Sequence, residues 1–322
     1  MATLIPKKYR SVTEYHLREE EIDGILRHMS FKRHCVALAI IHFPPRKQAR
    51  AHRLITTSFP RTSYAGLGSL DILPLELLHD VFLRLDMRSL LKVRQTNLRS
   101  RETVDTLWHF RMVISHGRDA LSALVRTRLA HTVSLFDFYS ALCTKACSFC
   151  GGFSGLISLL TWSRCCFDCI GNAPETQLRP LASVREQLHL TEAESDQLKS
   201  FKTLPGLYYI GESGYQSRPT EVVSIHQAML ITRRQPHMQT QTLPANSKDK
   251  KYNYMGSCIL PYYDRQTGKV EHGVHCSQCY NKSPPGGDAT RVYTQDDFLE
   301  HFRWCARAQN EWEWRRQNGG SP

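Results

Sequence analysis

Residues 72–85 decide the fold of the central part of the chain, and they read ILPLELLHDVFLRL. Pro74 suits the first turn of a helix, where its missing N–H leaves no hydrogen bond unmade, and Asp71 can cap that turn. The apolar residues recur at the period of a helix with a broad apolar stripe; they are Leu73, Leu77, Leu78, Val81, Phe82 and Leu85. The stretch therefore predicts a helix with a wide apolar face.

Two more short helices are predicted directly after this one, over residues 89–98 and 103–114, by the same apolar period. Three short helices within about 45 residues bury only a small core, well below the size at which single domains are comfortably stable. We therefore expect this helical unit to need a partner or the rest of the chain.

The 11 cysteines of the chain include a first group with the spacing of a metal site. Cys147 and Cys150 form one CxxC pair, and Cys166 and Cys169 form a second pair 15 residues later. Two residues between thiolates let a tight turn direct both sulfurs at one ion, so the group predicts a structural four-cysteine zinc site. Cys165 competes with Cys166, which we prefer because it completes the CxxC pair. The alternative is a set of buried or reactive thiols.

A second group has the spacing of a zinc finger, in which a CxxC pair precedes a helix that supplies two ligands. Cys276 and Cys279 are followed, after 21 residues, by His301 and Cys305. Because His301 and Cys305 lie four residues apart on a predicted helix, they share one face. The alternative is that His301 is an ordinary surface side chain. Three nearby residues rank lower as ligands: His272, His275 and Cys258.

The composition is that of a soluble protein with a core, since 41% of the 322 residues are hydrophobic and 22% are charged. No apolar run approaches the roughly 18 residues of a membrane span, and the N-terminus has no secretory signal pattern. We expect an intracellular protein of the cytoplasm or nucleus, with no membrane partner, in which the thiols stay reduced.

The net charge of +12 is concentrated near the N-terminus, where residues 1–65 hold 12 basic and 5 acidic residues. A nucleic-acid-binding protein more often carries its excess of basic residues on a folded module than on an arm. The predicted C-terminal helix has mixed charge, which disfavours a phosphate-binding surface. Structural or protein-binding zinc is therefore preferred over nucleic-acid recognition.

The sequence contains no Walker-type phosphate loop, GxSxG elbow, HExxH pair or GxGxxG turn. We expect a protein that is not an enzyme.

The predicted fold class is mainly α with small irregular α+β modules stabilised by zinc. The predicted organisation is a basic, poorly ordered arm that is helical in part over 19–29 (1–68), the helical unit (69–116), a helical region with the four-cysteine site (117–231), a linker (232–251), a C-terminal CxxC/HxxxC module (252–316) and a tail (317–322).

The helical unit resembles the F-box. The likeness begins with the LPLELLHDVFLRL of residues 73–85, continues through SLLKV at 89–93 and ends at Trp108, about 40 residues in all. Residues 95–101 depart from the family, which has a more apolar run there. Three downstream segments resemble a group of filamentous-fungal F-box proteins with Cys-rich C-terminal regions: RCCFDC at 164–169, LTEAE at 190–194 and FLEHF at 298–302.

The resemblance implies a substrate receptor of an SCF-type cullin–RING ubiquitin ligase, whose F-box binds a Skp-type adaptor and presents a protein substrate. It implies the adaptor-contact residues Leu73, Pro74, Leu77, Leu78 and Leu85, with Phe82 and Leu91 shared between that contact and the core. The alternative for these leucines is packing against residues 117–142. The alternatives for function are a zinc-finger nucleic-acid-binding or regulatory protein and an F-box protein acting outside the ligase. The sequence does not indicate which protein is the substrate.

Overall fold

The structure is a computed structural model that describes residues 10–32, 39–41, 43, 66–210, 212–232, 249–282 and 291–318. Its α-helices are α1 (Glu19–Met29), α2 (Leu75–Arg84), α3 (Met87–Val93), α4 (Leu98–Thr106), α5 (Trp108–His116), α6 (Arg118–Arg126), α7 (Leu135–Leu142), α8 (Phe167–Asn172), α9 (Leu181–Leu188), α10 (Glu192–Asp196), α11 (Ile225–Ile231), α12 (Lys250–Met255), α13 (Ser277–Lys282), α14 (Gln295–Trp304) and α15 (Ala306–Gln317). Single 3₁₀ turns lie at Gly68–Ile72, Leu129–His131 and Pro174–Thr176.

The strands are short and form small antiparallel sheets. They are β1 (Ser30–Phe31), β2 (Leu156–Ser158), β3 (Ser163–Cys165), β4 (Leu178–Pro180), β5 (Ser200–Lys202), β6 (Gly206–Ile210), β7 (Glu212–Gln216), β8 (Glu221–Ser224), β9 (Ser257–Ile259), β10 (Tyr262–Tyr263), β11 (Val270–Glu271) and β12 (His275–Cys276). The sequence-based fold class, mainly α with small sheets, is confirmed.

The helices after residue 85 differ in their bounds from the prediction because two polar side chains start new helices. Asp86 accepts a hydrogen bond from the backbone N–H of Ser89 and begins α3, and Asn97 does the same for Ser100 at the start of α4. The helix expected over 103–114 is divided at Leu107, whose backbone is extended (φ −60°, ψ 118°). Four helices therefore replace the three that were predicted.

The core of this helical unit is shared with the rest of the chain. The backbone N–H of Met87 donates to Val133 and that of Leu135 donates to Leu85, so the start of α3 is tied to the segment before α7. One continuous apolar cluster joins helices α2–α7 to residues of the later strands; its members include Phe82, Leu90, Phe110, Leu124, Phe138, Ile157, Leu260 and Tyr263. The unit at 69–116 is not a separate body.

Strand β9 follows the boundary predicted at residue 252 and belongs to the central sheet. The order of that sheet is β3-β2-β9, and Ile157 of β2 pairs with Cys258 of β9. Strand β9 would have no hydrogen-bonded neighbour in a module beginning at 252. A second three-stranded sheet has the order β4-β8-β5. The capping box predicted at Thr191 is present and begins α10. Most of the expected linker (233–248) lies outside the described residues.

Residues 10–32, predicted as part of a poorly ordered arm with some helix over 19–29, pack on the C-terminal part of the chain. Helix α1 covers the 19–29 segment predicted to be helical, and Ile25 and Met29 are fully buried against Phe298 and Phe302. Strand β1 pairs with β12, in the register Ser30 to Cys276 and Phe31 to His275. A non-local strand partner and a non-local helix face therefore order this segment. The rest of the arm, apart from 39–41, 43 and 66–68, lies outside the described residues.

No helix in the described part of the chain combines the length and apolar character that crossing a membrane requires.

Candidate functional site

The first cysteine cluster is built from a turn and a helix start. Gly151 (φ +72°) turns the chain directly after Cys150, and its N–H donates to the carbonyl of Cys147. Cys166 caps α8, and Cys169 lies in that helix. The backbone N–H of Cys166 points to the Sγ of Cys147 at 3.4 Å, and that of Cys169 points to the Sγ of Cys166 at 3.5 Å. Such donors stabilise thiolates.

The four sulfur atoms of this cluster all lie within 4.8 Å of one another, and the Sγ atoms of Cys150 and Cys166 are 3.7 Å apart. A tetrahedral zinc ion with bonds of about 2.3 Å separates its sulfur ligands by about 3.8 Å. The predicted ligand set therefore fits a tetrahedral ion. Hydrogen bonding to Cys166 lowers the pKa of Cys147 to about 4, which favours the anionic form that metals bind.

The choice between Cys165 and Cys166 follows from strand geometry. Cys165 ends β3, and neighbouring side chains of an extended chain point in opposite directions. Cys165 is fully buried with Ile40 and Ile170, while Cys166 is half-buried beside the other sulfurs. Burial raises the pKa of Cys165 and a hydrogen bond with Cys147 raises that of Cys166, so the choice of Cys166 rests on its position among the sulfurs.

The second cluster brings together four buried ligands from three elements: Cys276 on β12, Cys279 on α13, and His301 and Cys305 within and at the end of α14. The Sγ atoms of Cys279 and Cys305 are 3.7 Å apart, and the Nε2 of His301 lies 3.5 Å from the Sγ of Cys279. A tetrahedral zinc ion separates a sulfur from a nitrogen ligand by about 3.6 Å. This set fits such an ion equally well.

The imidazole of His301 is oriented by Tyr293. Its Nδ1 lies 3.3 Å from the Tyr293 hydroxyl, and the two rings stack at 4.8 Å, so Nε2 faces the sulfurs. Burial lowers the pKa of His301, but hydrogen bonds and Coulombic attraction from Cys276 and Cys305 outweigh it and give a pKa of about 9. Hydrogen bonds from Cys276 and Cys279 lower the pKa of Cys305. Hydrogen bonds with Cys276 and Cys305 raise the pKa of Cys279, so the anionic form is favoured at Cys305.

The lower-ranked ligands lie outside both clusters. Cys258 is fully buried in the central sheet, where burial raises its pKa. His275 is the strand partner of Phe31, with ring centroids 5.6 Å apart. His272 borders a different cavity with His116 and Asp119. No further group of three or more candidate metal ligands occurs among the described residues.

The apolar stripe of α2 is divided between core and surface. Leu78 and Phe82 are 5% and 2% exposed, so both side chains lie in the protein's own core, and the adaptor contact implied for Leu78 and, in part, for Phe82 stays a prediction. Leu73, Leu85 and Leu91 are half-buried, whereas Pro74 is exposed and Leu77 is 53% exposed. Leucine periodicity alone did not separate these two environments.

Four further apolar residues between positions 72 and 108 are exposed and were not among the predicted contacts. They are Ile72 (84% exposed), Leu75 (48%), Val81 (45%) and Trp108 (50%). Together with Pro74 and Leu77 they are called the α2 patch below. The sequence signal was available, because Leu77 and Val81 lie four apart at positions where a helix packed on one side carries polar residues.

Comparison with protein families places an F-box domain at residues 70–112, which supports the resemblance described for this segment. The match covers α2, α3, α4 and the first half of α5. Neither the curated proteins nor the solved structures gave a significant match to the chain.

Proposed function

We propose that this protein is a non-catalytic substrate receptor of an SCF-type cullin–RING ubiquitin ligase, acting in the cytoplasm or nucleus. Its F-box domain would bind a Skp-type adaptor, and through it the cullin, while the rest of the chain holds a protein substrate for ubiquitination. The observation that carries the proposal is the F-box match over the same residues that expose the α2 patch.

The α2 patch has the character of a protein interface. Helix α2 buries Leu78 and Phe82 in the shared core and still exposes Leu77 and Val81, so its apolar stripe extends from the core onto the surface. Contiguous exposed apolar side chains on a small protein mark an interaction site or an aggregation hazard. Trp108 adds an exposed aromatic residue, the type that most often anchors interfaces. We infer that Pro74, Leu77 and these neighbours contact the adaptor.

We further propose that each cysteine cluster binds one zinc ion. Thiolate and imidazole donors in tetrahedral sets are typical of zinc, and four protein ligands leave no open position for catalysis. The ions would therefore be structural. The first would fix the turn at Cys147 against α8, and the second would join β12, α13 and α14. This would give the substrate-holding half of the chain its rigidity.

The proposal is tested by co-expressing the tagged chain with a Skp-type adaptor and a cullin and measuring what co-purifies. We expect Leu77→Ala combined with Pro74→Ala to abolish recovery of both partners. Truncating a central interface anchor costs about 2 kcal/mol or more, which is about thirtyfold in affinity. Leu207→Ala is the matched control, because Leu207 has a similar exposure (45%) on β6.

Equal recovery of the adaptor by the double variant, or no recovery by the wild-type chain, would contradict the proposal. Zinc content and the thermal transition of the double variant should match those of the wild type, because the two exposed side chains contribute little to the core.

A further inference from the structure

A groove beside the F-box helices combines apolar walls with a basic rim. It has a volume of about 430 Å³ and lies between α3, α6 and the turn after α6. The described residues that line it are Arg88, Leu91, Lys92, Gln95, Val125, Arg128 and Ala130. A cavity of this volume falls within the range of ordinary ligand sites. The groove shares no residue with the α2 patch, but it includes Leu91, which the resemblance implied as an adaptor contact.

The basic rim follows from the spacing along α3. Residues Arg88, Leu91 and Lys92 lie three and four positions apart and therefore occupy one face of the helix. Arg128 supplies the opposite wall from a backbone in the left-handed region (φ 63°), which L residues adopt at a cost. All three cationic side chains are exposed, and none forms a salt bridge within the described part of the chain.

We infer that this groove binds an acidic segment of the protein substrate, with one apolar side chain of that segment placed between Leu91 and Val125. The inference rests on the proposed receptor function, and it names the chemistry of the substrate. Charge complementarity supports it, because none of the described lining residues is acidic and three are cations. The apolar walls require a ligand that also has an apolar side chain.

A nucleic acid is the less favoured ligand. Grooves for single-stranded nucleic acid pair their cations with aromatic side chains on which the bases stack. None of the described residues that line this groove is aromatic.

The test uses fluorescence anisotropy with the full-length protein and a labelled nonapeptide, Glu-Asp-Glu-Asp-Leu-Asp-Glu-Asp-Glu. Two comparison peptides replace the acids by their amides or the leucine by glycine, and a nine-nucleotide oligothymidine is the nucleic-acid probe. We expect the first peptide to bind at least tenfold more tightly than the other probes. Arg88→Glu with Lys92→Glu should weaken it at least tenfold. Lys199→Glu with Lys202→Glu makes the same change of net charge at exposed positions away from the groove and should alter binding less than twofold.

Three results would overturn the inference. If both charge-reversal double variants weakened peptide binding equally, the effect would come from net charge and not from the groove. If replacing the central leucine by glycine left the affinity unchanged, the apolar walls would have no part in binding. Tighter binding of the oligothymidine, lost in the Arg88 and Lys92 variant, would assign the groove to nucleic acid. Adaptor recovery is measured on the same variants. Loss of adaptor together with peptide would make the groove part of the adaptor interface, whereas a wild-type chain that binds peptide but no adaptor would contradict only the receptor function.

Discussion

Exchange of one cysteine at a time at positions 165 and 166 separates metal ligation from packing, because the two residues are adjacent and differ in surroundings. Cys166→Ser removes a sulfur that lies 3.7 Å from that of Cys150, inside the four-sulfur cluster. Cys165→Ser removes a sulfur from the apolar cluster beside it, where the residue is 0% exposed. A serine hydroxyl does not replace a thiolate as a zinc ligand at neutral pH.

The two variants are expected to lose different amounts of stability for different reasons. Structural zinc sites in peptides bind with an apparent free energy of about 10–16 kcal/mol, as large as the whole stability of a typical domain at about 5–15 kcal/mol. Cys166→Ser should therefore release one of two zinc ions and unfold the region around α8. Cys165→Ser buries a hydroxyl in an apolar site, which costs about 1–3 kcal/mol and leaves the four ligands in place.

The assay is zinc content by mass spectrometry of the purified protein, with the thermal transition recorded on the same samples. We expect about two zinc ions per chain in the wild type and in Cys165→Ser, and about one in Cys166→Ser. Fewer than one zinc ion per wild-type chain would refute the metal sites. Equal zinc loss in the two variants would refute the assignment of the ligand.

Three further predictions concern the C-terminal cluster and its surroundings. Ile25→Ala should destabilise the packing of α1 by about 2–5 kcal/mol in chemical denaturation, against about 0.5 kcal/mol for the fully exposed Val12→Ala; equal effects would contradict the docked N-terminus. Tyr293→Phe should weaken zinc at the C-terminal cluster about 10–100-fold in chelator competition, with the first cluster unchanged; an unchanged C-terminal affinity would show that Tyr293 does not orient His301. A chelator should lower the thermal transition and strip the first cluster before the second, because Cys150 is exposed whereas all ligands of the second are buried; simultaneous loss would contradict the burial.

Local signals in the sequence predicted the elements that local chemistry controls. The start of α2 after Pro74 and the capping box at Thr191 each depend on residues within one helical turn, and both are present in the structure. Asp71 does not cap α2 as predicted, because its carboxylate accepts a hydrogen bond from the N–H of Leu67. The ligand groups also followed from spacing, since a CxxC pair and a helical HxxxC pair fix the relative position of their own side chains. To form each cluster, the fold has only to bring two such pairs together.

What the sequence did not predict depends on contacts between distant segments. The pairing of β9 with β2 and of β1 with β12 joins residues about 100 and about 245 positions apart, and no local pattern specifies such partners. The same reason explains the different surroundings of neighbouring residues on α2. Leu77 and Leu78 are identical in type and adjacent in sequence, and only the position of the shared core makes one exposed and the other buried.

Light scattering coupled to size-exclusion chromatography, on the chain co-expressed with a Skp-type adaptor, tests the central proposal most directly. We expect one peak whose mass is that of one chain plus one adaptor, and the loss of that peak when Leu77→Ala and Pro74→Ala are combined. A wild-type chain that elutes at its own mass of 37.1 kDa, apart from an intact adaptor, would contradict the assignment of the F-box helices as an adaptor-binding surface.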